Sequence, residues 1–240
     1  LTGLGVTTEA GTMFDPRRAE PGAETVLGQT WGGDPPALRH IEAFLDALAR
    51  RPEVPGHLAG KLAAHFVADD PDPALVARLA AVWRDTDGDL RAVAAALATD
   101  PAATGAPPAK VRRPLELVVA GLRALDIGGD AVMALPQRDL RRHILAPLAA
   151  MGQPWMAPPG PDGWPERAEA WITPARLAGR IGWAMTAPAA LGGALPDPRD
   201  FAQAALGARA AGLLAVAVGG AESRAEGIGL VLASPAFNRR

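Results

Sequence analysis

The 240-residue chain has no cysteine, no tyrosine and only two lysines, Lys61 and Lys110. The missing thiol excludes a disulfide framework, a thiolate zinc site, an iron–sulfur cluster and a cysteine nucleophile. Serine is almost as scarce. Ser223 falls in the first turn of a helical pattern and Ser234 precedes Pro235 at the end of one. Neither stands in a Gly-x-Ser-x-Gly run, and no Walker A or His-Glu-x-x-His sequence occurs. Gly3-Leu4-Gly5 has Thr8 where a dinucleotide fingerprint needs a third glycine. Charge of one sign is also lacking: 24 Lys+Arg against 26 Asp+Glu leave a net −2, which removes the electrostatic case for nucleic acid. The longest apolar stretch, Ala210 to Ala221, is too short to span a bilayer and holds three glycines.

What is present reads as globular, with 49% hydrophobic and 21% charged residues. Residues 1–36 carry no helical period. Thr12-Met13-Phe14 and Thr25-Val26-Leu27 are β-prone runs separated by Asp15-Pro16 and Pro21-Gly22, which predicts a short hairpin or extended segment. From Leu38 the period becomes helical: Leu38, Ile41, Phe44, Leu45 and Leu48 form one apolar stripe. Arg51-Pro52 ends it, Pro55 opens the next helix, Asp72-Pro73 a third and Asp89 a fourth that stops at Asp100-Pro101. These four helices, within 37–100, predict a compact subdomain.

Residues 101–111 read as an exposed linker to a second helical subdomain over 112–240. Pro114 starts one helix, ending at Gly128-Gly129, and Asp139 starts another that runs to Gly152 with Pro147 inside it as an expected kink. Thr173-Pro174 opens a helix with Leu177, Ile181 and Met185 predicted inward, and further helices are expected over 199–207, 208–218 and 222–233. Residues 153–166 hold five prolines and two tryptophans and can form no regular element. The fold class is therefore mainly α: a multi-helix orthogonal bundle with an N-terminal hairpin and an ordered Pro/Trp-rich loop.

Two constellations carry candidate chemistry. Asp85-Thr86-Asp87-Gly88-Asp89 places three carboxylates at alternate positions around a glycine. It departs from a calcium loop, because Gly is fourth rather than sixth and Ala96 stands where the bidentate Glu belongs. A helix–helix turn, with Gly88 left-handed and Asp89 as N-cap, explains it more simply. Of the histidines, His57 and His65 are eight apart, too far for joint ligation, while His65 and Asp69 are spaced to share a proton or a metal. The tryptophans of the loop region either anchor it to the bundle or offer a flat aromatic surface.

Several ordered blocks resemble one family. Asp15-Pro16-Arg17-Arg18, Lys61 to Pro71, Asp85 to Leu90, Arg113-Pro114-Leu115-Glu116, Gly152-Gln153-Pro154, Pro159 to Pro165 and Ser234-Pro235-Ala236-Phe237 are similar to successive blocks of the bacterial domain of unknown function 1800. The chain resembles the C-terminal half of that family. Its start, Leu1-Thr2-Gly3, with neither an initiator Met nor signal-peptide features, reads as the middle of a longer chain, compatible with an exported or a cytoplasmic protein. The resemblance implies a mainly α-helical protein with no assigned activity and no catalytic residues to carry over. It also implies a protein partner, the sulfatase-like domain of unknown function 1501 family often encoded beside it. Where the family tends to show His-Asp-x-Gly-x-Lys-Thr, this chain has Ala19, Glu20, Gly22, Glu24 and Thr25, and Arg51-Pro52 stands where His-Pro is frequent.

The residues together predict a non-catalytic binding or assembly module, without a cofactor, acting with a partner protein. Trp155, Asp162, Trp164 and Trp171 are its candidate partner-binding residues. The alternative is a metal-assisted hydrolase completed by a preceding half. It would use the carboxylates Asp69, Asp70, Asp85 and Asp87, with calcium or another divalent ion held by Asp85, Asp87 and Asp89.

Overall fold

A computed structural model describes residues 2–7, 11–105 and 107–240; Thr8, at the position where a dinucleotide fingerprint needs its third glycine, and Ala106 of the expected linker lie outside them. The chain is mainly α, as its periodicity predicts, with two antiparallel hairpins at its start. β1 (Thr2–Thr7) pairs with β2 (Gly11–Ala19), and β3 (Gly22–Val26) with β4 (Gln29–Gly33). The β1–β2 register jumps between Leu4↔Phe14 and Thr2↔Ala19, so Asp15-Pro16-Arg17-Arg18 bulges out of the ladder. Proline, which cannot donate to a ladder, sits inside that bulge. Leu27 and Gly28 turn β3 into β4, both at positive φ (52° and 79°), the backbone that a two-residue hairpin turn requires.

The helices are α1 (Leu38–Ala49), α2 (Val54–Phe66), α3 (Pro73–Asp85), α4 (Leu90–Thr99), α5 (Pro101–Thr104), α6 (Pro114–Ala124), α7 (Gly129–Met133), α8 (Gln137–Leu140), α9 (Ala146–Ala150), α10 (Pro174–Leu191), α11 (Pro198–Leu206), α12 (Leu213–Gly219) and α13 (Arg224–Ala233). Local chemistry sets many of their starts. Asp72, Asp100, Thr173 and Asp197 each precede a proline, and each accepts a hydrogen bond from a first-turn N–H: Ala74 (2.9 Å), Ala102 (2.9 Å), Arg176 (3.4 Å) and Arg199 (2.8 Å). The cap satisfies one orphan donor, and the proline occupies a position whose N–H has no helical partner.

The described residues form two compact units, one of residues up to Lys61 with Val76–Ala96, the other of Leu62–Leu75 with Leu97–Arg240. In the first, Trp31 meets Phe44 edge to face at 5.4 Å, which seats the β3–β4 hairpin on α1. In the second, one apolar core joins α6, α9, α10, α11 and α13 through Leu117, Leu148, Trp183, Phe201, Ile228 and Leu232. α10 and α13 pack closest, and small residues allow it: a Cβ on Gly229 would lie 3.1 Å from the Ala184 carbonyl oxygen and 2.9 Å from Met185 sulfur.

Three expectations about local structure change. The inward face of α10 is Arg180, Trp183, Ala184, Ala187 and Pro188, whereas Leu177 and Ile181 are exposed. The short side chains are the ones that let two helix axes approach. The segment 101–111 is no exposed linker throughout. Asp100 caps a helical turn, Lys110 and Val111 are buried, and Val111 bridges antiparallel to Arg239. The helix through Pro147 carries a π-helical stretch, Arg141–Leu145, between α8 and α9. Pro147 has no N–H for the His143 carbonyl, and the ladder shifts so that the Ala146 N–H reaches Arg141.

Candidate functional site

The loop that follows α9 leaves its helix in a defined way. Gly152, at φ +91°, donates to the Ala149 carbonyl (2.9 Å), and Gln153 donates to that of Leu148 (2.8 Å), the paired bonds of a Schellman ending. The Gln153 amide is buried, and its oxygen accepts the Leu115 N–H of α6 at 2.8 Å, which fixes the start of the loop. Beyond that point the chain turns outward. Trp155 is 57% exposed and Met156 81%, and Met156 takes a positive φ of 55°.

The far end of the loop is held more firmly. Trp171 is fully buried; its indole N–H donates to the Pro165 carbonyl at 3.1 Å, and Trp164 packs beside it with ring centroids 6.2 Å apart. Between them, Glu166 is a junction. Its carboxylate accepts from His65 Nδ1 at 2.8 Å and lies 3.6 Å from Arg113 and 3.8 Å from Lys110. Its carbonyl oxygen accepts from Lys110 Nζ at 2.8 Å.

Lys110, only 2% exposed, also donates to Asp69, whose second oxygen accepts the Ala168 N–H at 2.7 Å. Burial alone would raise the Asp69 carboxyl, but the Lys110 ammonium and the Ala168 amide outweigh it and hold the group below its ordinary value. An ammonium this deep needs such partners, because an unpaired buried charge is strongly unfavourable. Asp70 takes Arg167 in two bonds of 3.0 and 3.3 Å on the surface nearby.

The C-terminal residues close the same framework. Arg240 donates to Glu116 (3.1 Å) and to the His65 carbonyl (3.1 Å). Glu116 in turn accepts the Arg113 N–H at 2.9 Å at the start of α6. Its carboxyl stands below its ordinary value: burial works against this, and the Arg113 N–H with the Arg240 charge prevails. Arg180 on α10 is 1% exposed, donates to Asn238 (3.0 Å) and the Arg112 carbonyl (2.8 Å), and has no acceptor for Nε among the described residues. Burial pushes it down to about 10.

Of the residues singled out in the sequence, Trp164 and Trp171 adjoin each other, Trp171 buried and Trp164 half-buried, while Trp155 and Asp162 are exposed. In the framework that holds the far end of the loop, Arg113 falls in one of the family-like blocks, whereas Lys110, Glu166, Asn238 and Arg240 have no motif to announce them. His65 pairs with Glu166 rather than Asp69. Asp85, Asp87 and Asp89 line the α3–α4 turn. Asp87 and Gly88 both take positive φ (52° and 85°), and Asp89 accepts the Arg91 and Ala92 N–H groups (2.8 and 3.2 Å) as N-cap of α4. Among the described residues, no three His, Asp or Glu side chains are grouped to hold a metal ion. None of the described helices is long and apolar enough to cross a membrane.

These features define a mainly α-helical protein that carries an irregular aromatic loop on a charged framework. The chain belongs to the DUF1800 family, described as a protein of unknown function, whose model matches residues 1–239. No curated protein and no solved structure matches it.

Proposed function

We propose that the protein is a binding or assembly module that presents its 153–166 loop to a partner protein. One observation carries this reading: Trp155 and Met156 stand exposed on a loop whose two ends are fixed by buried groups, Gln153 at one and Trp171 with the Asp69–Lys110–Glu166 framework at the other. A loop fixed at both ends has less backbone freedom to lose on binding than a free one, and tryptophan is prominent among residues that dominate interface energies. Trp164 and Trp171 serve the reading as anchors, and Trp155 with Asp162 as contacts. The partner that the family resemblance suggests is the sulfatase-like companion of the domain of unknown function 1501 family.

Metal-assisted hydrolysis through Asp85, Asp87 and Asp89 has less support, since Asp89 is engaged as a helix cap. Co-purification with that companion tests the reading. Trp155→Ala, at an exposed position that leaves folding intact, is expected to lower recovery at least tenfold. Recovery within twofold of the unaltered chain would remove the loop from the interface.

A further inference from the structure

The second unit gathers more positive charge around the turn after α13 than its acids neutralise, a feature that the loop reading does not use. Three arginines from distant parts of the chain converge there. Arg112 Nη1 donates to the Phe237 carbonyl, Arg209 Nη1 to the neighbouring Ala236 carbonyl (2.9 Å), and Arg180 Nη1 to the Asn238 side chain (3.0 Å). None of the three is paired with a carboxylate among the described residues. The acid that acts on both Arg112 and Arg180 is Glu116, and it is already bonded to Arg113 and Arg240. Burial, and then the like charges of Arg209 and Arg240, hold Arg112 below its ordinary value.

Capping of α13 accounts for part of this arrangement. The carbonyls at a helix end amount to about half a negative charge, which Arg209 alone would offset. Arg112 and Arg180 are then left uncompensated where desolvation makes unpaired charge unfavourable. Their donors are not used up either. Arg112 and Arg209 have no further acceptor among the described residues, and Nε of the buried Arg180 has none. The Arg112 guanidinium lies over the Phe237 ring, Cζ 4.7 Å from its centroid, which holds the fork in place. Arg112 is half-buried and Arg209 exposed, so a small ion can meet both from solvent while Arg180 adds charge from the interior.

We propose that Arg112 and Arg209 form a binding site for a phosphate group, whose oxygens accept from the open edges of the two forks. Guanidinium geometry matches such oxygens in pairs, and a dianion offsets the excess charge more fully than a carboxylate does. The phosphate is either the free ion or a phosphomonoester, and both present the same oxygens.

Thermal melts and titration calorimetry of the whole chain in low-salt buffer test this, with inorganic phosphate and phenyl phosphate as probes. Inorganic phosphate should raise the melting temperature, whereas sodium chloride at the same ionic strength should not. Arg209→Ala, at an exposed position, should weaken phosphate binding at least fivefold, and Arg138→Ala, exposed on α8, should bind as the unaltered chain does. Without phosphate, Arg209→Ala relieves repulsion on Arg112, so its melting temperature should equal or exceed that of the unaltered chain; with phosphate the order should reverse. Phenyl phosphate binding at least as tightly as the inorganic ion would point to a phosphomonoester, and weaker binding to the free ion; either supports the site. Equal stabilisation by chloride, a smaller loss with Arg209→Ala, or the same loss with Arg138→Ala would overturn the proposal. So would an Arg209→Ala chain that melts lower by the same amount with and without phosphate, since Arg209 would then serve only to cap the Ala236 carbonyl.

Discussion

The indole Nε1 of Trp183 donates to the carbonyl oxygen of His143 at 3.1 Å, the oxygen that Pro147, four residues on, leaves without its helical donor. The π-helical stretch, the internal proline and the buried tryptophan are therefore one arrangement. A proline removes a donor, the ladder shifts, and a side chain from a neighbouring helix satisfies the freed acceptor.

Trp183→Phe should cost about 1–3 kcal/mol by orphaning that carbonyl, beyond the loss from reduced packing. Pro147→Ala restores a backbone N–H that can reach the same oxygen. In that background Trp183→Phe should cost about 1 kcal/mol less. Urea unfolding of the four chains measures the coupling; additive losses would show that the two residues act separately.

Much of this architecture is legible from short-range chemistry. Asp-Pro and Thr-Pro pairs mark helix starts because cap and proline act within one turn, and the Asp85–Asp89 turn follows from the same rule. The inward face of α10 is not legible that way. Leu177 and Ile181 suit a core, but close approach of α13 at Gly229 selects Ala184 and Ala187 instead. The charged framework is the least legible part. Lys110 lies 41 residues from Asp69 and 56 from Glu166, in a Pro/Ala run that looks like linker. Only the folded chain brings these groups together, and no spacing rule covers pairs so distant.

Two glycines separate helix propensity from packing. Gly182 in α10 has nothing within 4 Å of an added Cβ. Gly182→Ala should therefore stabilise by about 0.5–1 kcal/mol through propensity alone. Gly229 in α13 meets the Ala184 carbonyl oxygen at 3.1 Å and Met185 sulfur at 2.9 Å, so Gly229→Ala should destabilise by about 1–3 kcal/mol as α10 and α13 are pushed apart. Thermal melts of the two variants should shift in opposite directions. A gain from Gly229→Ala would refute the close approach of these helices.

Lys110 gives the sharpest test of the framework. Lys110→Met removes the charge at similar length and leaves Asp69 with the Ala168 N–H but without its ammonium partner, at a cost of about 1–3 kcal/mol at neutral pH. The pH dependence follows from the depressed Asp69 and Glu116 carboxyls. Their stabilising contribution is present above the ordinary carboxylate range and is lost as pH falls through their lower folded values, because the unfolded chain then binds more protons. Urea unfolding free energy should hold level from pH 7 to about 5 and decline below about pH 4. Asp69→Asn should make that decline shallower. Without Lys110, Asp69 loses the bond that favours its charged form and can take up a proton more readily. The deficit of Lys110→Met relative to the unaltered chain should then shrink as the pH is lowered from 7 toward 4, since protonation relieves the uncompensated charge. A deficit constant across that interval would mean that Lys110 contributes packing alone, and that its bond to Asp69 does not hold the far end of the loop.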